Sequence, residues 1–370
     1  MKRILVIALS GIGDSLIATP LLRQLRIRYP AARIEALVLW PGAASLLGNN
    51  PNLDAVHQFP FHTAPKLDAL QFVAGLRRHR YDLSVNIHTQ GRREYRVIAW
   101  LIGARIRASH AYENQSWLDR LLVTHSLPQD YSVHGAVNNQ RLLELVSGTP
   151  VLEPPRYELR LEADEVNWAA AQARSLGLSR ATTLGIHVGS GGTKNLALRR
   201  WPLELHLALA RRLLADVPGL KLAYFGGPDE VAPHARLRSE LASEVEAQRC
   251  LFPATPSVRH AAALLGHVGG FLSVDTLFMH LAAAMRVPRQ WVIETPTVNP
   301  PILPLREAWT LIPNPAVAGR NLDYYRYDGR PIAGTPESLH AIMSSVTVDA
   351  VASALGEYSP VGPGFKPRAA

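Results

Sequence analysis

The sequence predicts an α/β fold in which two doubly wound parallel sheets follow one another along the chain. Short continuous apolar runs alternate with longer amphipathic segments, a pattern typical of parallel strands covered by helices on both faces. A strand that runs into a glycine-rich turn occurs at 3–14 and again at 182–195. The length of 370 residues also exceeds what a single hydrophobic core usually holds. We therefore expect two domains.

Six apolar runs are predicted as strands. They occupy 4–9, 33–39, 82–88, 183–188, 221–226 and 269–274. Helices are predicted over 16–30, 162–178 and 202–217, because apolar residues recur there at helical spacing. Each of these segments lies between or beside predicted strands, as a doubly wound sheet requires.

A proline-rich stretch from Pro150 to Leu161 interrupts the alternation and is interpreted as the start of a linker. The predicted domains are 1–155 and 156–345, followed by a final helix and a loose tail over 346–370. Two doubly wound domains that face each other form a cleft between the carboxyl ends of their strands. Ligands of open α/β sheets bind at such ends.

Composition limits the classes of function. Lys and Arg outnumber Asp and Glu by 39 to 30, so a nucleic acid, a phosphorylated lipid or a nucleotide is a reasonable anionic partner. The single cysteine, Cys250, suits a reducing compartment, and the cytoplasm is the expected location. No window holds eighteen uninterrupted apolar residues, so no membrane span is expected. Association with a membrane surface stays open.

The first glycine turn contains Gly11, Gly13 and Asp14. The two glycines are expected to allow a sharp turn and a close approach to a ligand. The turn lacks the third glycine of a dinucleotide fingerprint, since Leu16 takes that place, and Asp14 would repel a pyrophosphate. Taken alone, Asp14 is interpreted as a helix cap that contributes about 1 kcal/mol.

The second glycine turn, 189–202, favours a phosphate. Its glycines expose backbone N–H groups, Thr193 adds a hydroxyl, and Lys194, Arg199 and Arg200 add positive charge. The alternative is a solvated basic loop. The turn does not follow the frame of a P-loop.

Two further strand ends carry candidate ligand-binding residues. Asp275 and Thr276 are predicted to cap a helix whose first N–H groups face the cleft, with His280 one turn further on. His280 could equally be a core histidine. Glu230 follows the glycines of FGGPDE, where it either serves the helix dipole or accepts hydrogen bonds from ribose hydroxyls.

Motifs for other chemistries are missing from the sequence. It contains no Cys pair, no His-Glu-x-x-His and no clustered Asp-x-Asp, so no metal site is predicted. It also lacks a Gly-x-Ser-x-Gly elbow. These gaps argue against metal-dependent and serine-nucleophile reactions.

Taken together, the stretches resemble glycosyltransferase family 9, the heptosyltransferases of lipopolysaccharide core synthesis. The segment from Gly11 to Ile34 is similar to the family's opening Gly-Asp…Pro motif, and GNNPNLDAVHQF at 48–59 to the stretch after its second strand. RRWP, GGPDE and VDTLFMHLAAAMRVP look like its nucleotide-binding signatures. SSVTVDAVASAL at 344–355 is similar to its final helix, which crosses back to the first domain.

The resemblance implies a GT-B fold, with two Rossmann-like domains facing each other across a cleft. It implies that the first domain holds the acceptor, that the second holds a nucleoside-diphosphate sugar, expected to be ADP-linked, and that the transfer inverts the anomeric carbon without a metal or other cofactor. Asp14 matches the family's general base. Gly11 and Gly13 would then bring that carboxylate to the acceptor.

On the donor side, the resemblance assigns Arg199 to phosphate binding, in place of the family's lysine, and Glu230 to the ribose. Asp275, Thr276 and His280 match the motif around the diphosphate, although Leu277 replaces the family's glycine. Thr193 and Lys194 are supporting candidates from the glycine turn.

The acceptor side is predicted from charge. The segment 88–107 concentrates Arg92, Arg93 and Arg96 beside a strongly apolar helix. One interpretation is contact with the phosphates of an anionic glycolipid or glycan at the inner face of the cytoplasmic membrane. The other is a solvated helix face.

Three other functional classes are less consistent with the sequence. A sugar-nucleotide-binding protein of the same fold without turnover is the principal alternative, because Arg199 and Leu277 depart from the family pattern. An NAD-dependent oxidoreductase would need the missing glycine. A nucleic-acid partner is not expected, because aromatics are few and no recognition module is present.

Overall fold

The computed structural model describes residues 1–89, 91–192 and 194–356. The chain divides into two compact units. The first contains 1–160 together with 300–305 and 326–330, and the second contains the remainder of the described residues.

The first unit is built on a six-stranded parallel sheet with the order β3-β2-β1-β4-β5-β6. Its strands are β1 (Arg3–Ala8), β2 (Arg33–Val38), β3 (Ala55–Gln58), β4 (Leu83–Asn86), β5 (Ile106–Ala111) and β6 (His125–Pro128). Its helices are α1 (Ile12–Ile17), α2 (Thr19–Arg28), α3 (Pro41–Leu47), α4 (Lys66–Arg77), α5 (Arg93–Ile102), α6 (Asp119–Leu122) and α7 (Gly135–Ser147).

Strand β1 shows how the sheet of the first unit is buried on both faces. Ile4 and Val6 belong to one apolar cluster with residues of α2 and α7. Leu5 and Ile7 belong to another with residues of α4 and α5. Because successive side chains point to opposite faces of a strand, a continuous apolar run is needed to fill both layers.

The second unit repeats this plan with the strand order β12-β11-β10-β7-β8-β9, again all parallel. Its strands are β7 (Thr183–Ile186), β8 (Lys221–Tyr224), β9 (Cys250–Leu251), β10 (Gly270–Ser273), β11 (Arg289–Ile293) and β12 (Trp309–Ile312). Its α-helices are α8 (Ala163–Leu176), α9 (Leu203–Asp216), α10 (Val231–Glu240), α11 (Ala242–Glu246), α12 (Val258–Leu265), α13 (Leu277–Ala284), α14 (Asn321–Tyr324), α15 (Pro336–Ser344) and α16 (Val348–Gly356). Two 3₁₀ turns, Leu196–Arg199 and Pro228–Glu230, follow β7 and β8.

The six predicted strands are all present as β1, β2, β4, β7, β8 and β10. The other six strands were not predicted. β5 reads IRASHA and β6 reads HSLP, so neither is a continuous apolar run. β9 has only two residues. Such strands are set by pairing with neighbours rather than by local pattern.

The helix predicted over 16–30 is in fact two helices that meet at Ala18. Pro20 has no backbone N–H and cannot continue the hydrogen bond to the carbonyl of Leu16. The Thr19 hydroxyl donates to that carbonyl instead, at 2.7 Å. The break therefore follows from a single proline.

The predicted domain boundaries need correction in three places. The first unit ends at Arg160 rather than at 155, and it also takes 300–305 and 326–330 from the predicted second domain. Backbone hydrogen bonds such as Gly135 N to Pro301 O, 2.7 Å, hold these segments in it. Helix α16, expected to cross to the first domain, instead belongs to the second unit, where Trp291 Nε1 donates to Ala354 O at 3.0 Å. The predicted tail from Tyr358 lies outside the described residues.

Within the described part of the chain, no single helix is long and apolar enough to cross a membrane. The helices α15 and α16, bent by 41° at their junction, meet the length and composition criteria only as a pair.

Candidate functional site

Asp14 lies at the carboxyl edge of the first sheet, in the first turn of α1, directly after β1. Its Oδ2 accepts a hydrogen bond from Gly11 N at 2.7 Å, and its Oδ1 accepts one from the Thr89 hydroxyl at 2.9 Å. The residue is half-buried. Both interpretations of Asp14, as a helix cap and as a general base, are therefore compatible with the structure. One carboxylate oxygen accepts from the N-cap residue Gly11, and the other lies beside the loop that contains Thr89.

Thr89 reaches Asp14 because β1 and β4 are parallel neighbours. Ile7 pairs with Asn86, so the loops that follow the two strands leave the sheet side by side. Thr89 was not among the residues predicted from the sequence. The available signal was that it follows the predicted strand 82–88, whose end shares an edge with the end of β1.

Gly11 and Gly13 are not required for a left-handed backbone conformation. Gly11 has φ −66° and Gly13 lies inside α1, so neither adopts the left-handed conformation. A Cβ at Gly11 would lie 3.2 Å from Asp14 Oδ2. The missing side chain at Gly11 thus leaves room for the Asp14 carboxylate.

A buried polar cluster supports the Thr89 segment. His88 is fully buried. Its backbone N–H donates to Asn139 Oδ1 at 2.6 Å, and its ring Nδ1 lies 2.8 Å from the Tyr112 hydroxyl. Burial, reinforced by the neighbouring imidazoles of His110 and His134, keeps the pKa of His88 well below 6.5. His88 is therefore neutral at physiological pH, and its contacts fix the chain beside Asp14.

The three arginines predicted on the acceptor side do not form one surface. Arg96 is buried, and its Nε donates to the buried Asp119 carboxylate at 2.6 Å. It is a structural ion pair, which corrects the prediction for this residue. Arg93 is exposed and donates to Ser116 at 3.1 Å. Arg92 precedes α5 and is half-buried.

In the second unit, the predicted donor residues collect at the carboxyl edge of three adjacent strands, β10, β7 and β8. Arg199 is buried there and forms an ion pair with Asp275, and its Nε donates to the Ser190 hydroxyl. Arg200 Nη2 donates to Ser190 O at 2.9 Å. Ser190, which sequence analysis did not single out, therefore holds both arginines.

Asp275 faces a cation, which fits poorly with its predicted contact to a diphosphate. Burial raises the pKa of Asp275, and the charge of Arg199 opposes that rise. A carboxylate in this position orients the Arg199 guanidinium. Asp275 is thus better described as the partner of Arg199 than as a phosphate ligand.

The predicted helix start after β10 is present. Thr276 is the N-cap residue of α13, and its side chain makes no capping hydrogen bond. His280 is buried one turn further on, and burial together with the Arg199 charge lowers its pKa to about 3. A neutral imidazole and a helix amino terminus therefore lie beside the Arg199 pair. Leu277, half-buried, is the first residue of α13.

Glu230 lies against the backbone of the glycine turn. Its Oε2 accepts from Gly227 N at 2.8 Å, and a Cβ at Gly189 would lie 1.9 Å from its Oε1. Burial raises the pKa of Glu230, opposed by the Gly227 N–H and by Arg200, whose Nη2 is 3.8 Å from Oε1. A side chain at position 189 would therefore force Glu230 to move.

The remaining predicted donor residues lie in the exposed part of the turn. Lys194 is exposed and adopts a left-handed conformation with φ 56°. Thr193 lies outside the described residues.

The sequence of this chain is similar to that of known glycosyltransferases. The model of glycosyltransferase family 9 (heptosyltransferase) matches residues 69–289. The chain is 25% identical over 290 residues to a lipopolysaccharide heptosyltransferase 3 from Escherichia coli, a match that covers 75% of this chain and 78% of that protein.

Two solved structures share the fold. The E. coli ADP-heptose lipopolysaccharide heptosyltransferase II superposes with a TM-score of 0.68 at 19% identity and covers 96% of this chain and 98% of that one. A family 9 glycosyltransferase from Veillonella parvula gives a TM-score of 0.71 at 19% identity and covers 96% of both chains. The fold of this chain is therefore GT-B.

Proposed function

This chain belongs to glycosyltransferase family 9 and is a glycosyltransferase, and from that premise we propose that it moves a heptose from ADP-heptose to a hydroxyl of a lipopolysaccharide-type acceptor. The names of the relatives support the donor and the pathway. The observation that carries the proposal is the Asp14 carboxylate, held by Gly11 and Thr89 at the carboxyl edge of the first sheet.

The proposed reaction is a single displacement with inversion and without a metal. Asp14 takes the proton of the acceptor hydroxyl as its oxygen forms a bond to the anomeric carbon. The bond from that carbon to the diphosphate oxygen breaks, and ADP leaves. Base assistance of this kind contributes about 10² to 10⁴-fold. The two hydrogen bonds on Asp14 fix its direction before the acceptor arrives.

In the second unit, Arg199 and the amino terminus of α13 would stabilise the charge that develops on the leaving diphosphate. The Asp275 carboxylate and the Ser190 hydroxyl both hold Arg199, which suits a preorganised cation. Neutral His280 offers a hydrogen bond without adding charge. Thr193 and Lys194 are proposed to contact the same phosphates from the glycine turn.

Glu230 is proposed to hold the ribose. Gly227 N occupies one of its oxygens, and the other lies against Gly189 beside Arg200. A carboxylate so placed accepts hydrogen bonds from the two hydroxyls of a ribose.

We further propose that the protein works in the cytoplasm, peripherally at the inner face of the cytoplasmic membrane. Helices α5 and α6 pack together, and Trp100 of α5, Leu121 of α6 and Trp117 just before α6 are exposed. Arg93 and Arg120, in the same two helices, are also exposed. Aromatic and basic side chains favour an anionic lipid surface.

Flotation with anionic vesicles tests the proposed membrane contact. Trp117→Ala should weaken vesicle binding, whereas Leu145→Ala, on the exposed surface of α7, should not.

The decisive experiment is turnover of ADP-heptose with a truncated, deacylated lipopolysaccharide core as acceptor. Asp14→Asn should lower kcat by about 100-fold or more while the affinity for ADP stays near that of the wild type. Asp68 is the matched control, because it stands at the same third position of α4 and is exposed. Asp68→Asn should leave kcat unchanged.

Two outcomes would contradict the proposal. Turnover of Asp14→Asn within a few-fold of the wild type would remove Asp14 as the base. A wild-type protein that binds ADP-heptose but transfers to no acceptor would instead be a sugar-nucleotide-binding protein.

A further inference from the structure

A second cluster of chemically active side chains lies in the first unit. Glu35, on β2, is fully buried, and its Oε2 lies 3.1 Å from His57 Nε2 and 3.0 Å from His79 Nδ1. These three ligand atoms all lie within 4.8 Å of one another. We call Glu35, His57 and His79 the Glu35 cluster.

The Glu35 cluster is remote in topology from Asp14. His79 precedes β4, so it enters the sheet at the amino ends of the strands, whereas Asp14 follows the carboxyl end of β1. Its members come from β2, from β3 and from the loop after α4. The proposed transfer reaction uses none of them.

We propose that the Glu35 cluster binds a borderline divalent cation, of which Zn²⁺ is the representative. Two imidazoles and one carboxylate are a ligand set that Zn²⁺ takes in proteins. Metal–ligand bonds of about 2.0 to 2.2 Å in a tetrahedron place ligand atoms roughly 3.3 Å apart. The two separations from Glu35 Oε2 are close to that value.

Exposure of the two imidazoles suits uptake from solvent. The side chains of His57 and His79 are 23% and 33% exposed, so an ion can reach them and the rings can adjust. Their two nitrogens converge on one carboxylate oxygen. A cation at that point would take the place of the imidazole hydrogen bonds to Glu35. The two imidazole nitrogens and Glu35 Oε2 would then all ligate it.

Neighbouring residues would orient the ligands. Arg33 Nε donates to the other oxygen of Glu35 at 2.5 Å, which leaves Oε2 directed at the imidazoles. The Tyr81 hydroxyl donates to Glu35 Oε2 and lies 3.0 Å from His79 Nδ1. Partners of this kind, outside the ligands themselves, fix ligand orientation.

A bound ion would connect two strands and a loop that are distant in sequence. Glu35 is 22 residues from His57 and 44 from His79. Because the three ligands come together only in the folded chain, binding of the ion would stabilise the folded state relative to the unfolded state. The expected role is therefore structural, separate from the transfer chemistry.

The test uses the full chain, stripped with a chelator and titrated with Zn²⁺ alone. The wild type should bind one ion per chain by calorimetry and unfold at a higher temperature with Zn²⁺ than without it. His57→Ala and His79→Ala should each raise the Kd by about tenfold or more. His62→Ala, an exposed histidine of the same unit, is the matched control and should leave the Kd unchanged.

Equal Zn²⁺ binding by the wild type and by both cluster variants would overturn the proposal, as would a wild type without a stoichiometric site. Glu35→Gln keeps the side-chain volume, so loss of Zn²⁺ binding in a variant that still unfolds cooperatively separates lost ligation from lost folding. Metal affinity is measured without substrates, so the result is independent of whether the proposed transfer reaction is correct.

Discussion

The Thr89 hydroxyl donates a hydrogen bond to Asp14 Oδ1 at 2.9 Å, although the two residues are 75 positions apart in the chain. The contact joins the ends of the adjacent strands β1 and β4. Thr89 is thereby a positioning residue for the proposed base, and its removal should affect the chemical step more than donor binding.

Thr89→Val removes the hydroxyl and keeps the shape of the side chain. A hydrogen bond to a charged group is worth about 1.5 to 3 kcal/mol, so we expect kcat to fall by about tenfold or more. The KM for the donor should stay unchanged. Steady-state kinetics check this, and Thr89→Ser, which keeps the donor, should recover most of kcat. An effect confined to KM would contradict the positioning role.

Gly189→Ala should displace Glu230, because the new Cβ would lie 1.9 Å from Oε1 and 2.8 Å from His187 Nε2. We expect the affinity for ADP to fall and the unfolding temperature to drop. Gly191→Ala is the matched control for stability, since nothing lies within 4 Å of a Cβ there. Calorimetry with ADP and thermal unfolding measure the two effects. An unchanged ADP affinity in Gly189→Ala would argue against Glu230 as the ribose ligand.

Arg199→Ala should weaken ADP binding and also destabilise the second unit. The buried Asp275 loses its cation, and breaking a buried pair in this way costs about 3 to 5 kcal/mol. Adding Asp275→Asn removes the uncompensated charge. The double variant should regain much of the stability but none of the ADP affinity. If ADP binds both variants as it binds the wild type, Arg199 is not a phosphate ligand.

Acid should destabilise the second unit through buried histidines. Burial lowers the pKa of His187, His206 and His280 to about 3, far below the value of about 6.5 in the unfolded chain. The unfolded state therefore binds more protons between pH 6.5 and 3, and the free energy of unfolding falls as the pH falls through that window.

His206→Gln tests this dependence, because glutamine does not titrate. Each such histidine contributes up to about 1.4 kcal/mol per pH unit within the window, so the variant should lose less stability between pH 7 and pH 5 than the wild type. Urea unfolding at the two pH values provides the measurement. His340→Gln, with an exposed imidazole, should behave like the wild type.

The sequence was sufficient to predict the strands that are buried on both faces and the residues that directly follow them. β1 is an apolar run after its first residue and β7 is buried along its whole length, so the glycine turns after them and the position of Asp14 could be placed on the fold. Strands β5 and β6 carry polar residues, and nothing in their local pattern marks them as part of the sheet.

Contacts that depend on pairing between distant segments could not be predicted. Thr89 meets Asp14 only because β1 and β4 are neighbours. Arg96 was expected on the surface because it lies in a basic stretch, but a buried Asp119 pairs with it. The Glu35 cluster follows no metal-binding motif, since its members are spread over three elements.

The placement of 300–305 and 326–330 in the first unit has a consequence for protein engineering. His134 Nε2 lies 2.9 Å from Leu303 O, and Asn114 Nδ2 donates to Asp328 O at 2.9 Å. A chimera that joins this amino-terminal half to the carboxyl-terminal half of another transferase at residue 160 would leave these groups without their natural partners. Recombination that respects the fold must transplant three pieces of sequence, so a single crossover at residue 160 cannot exchange the first unit intact.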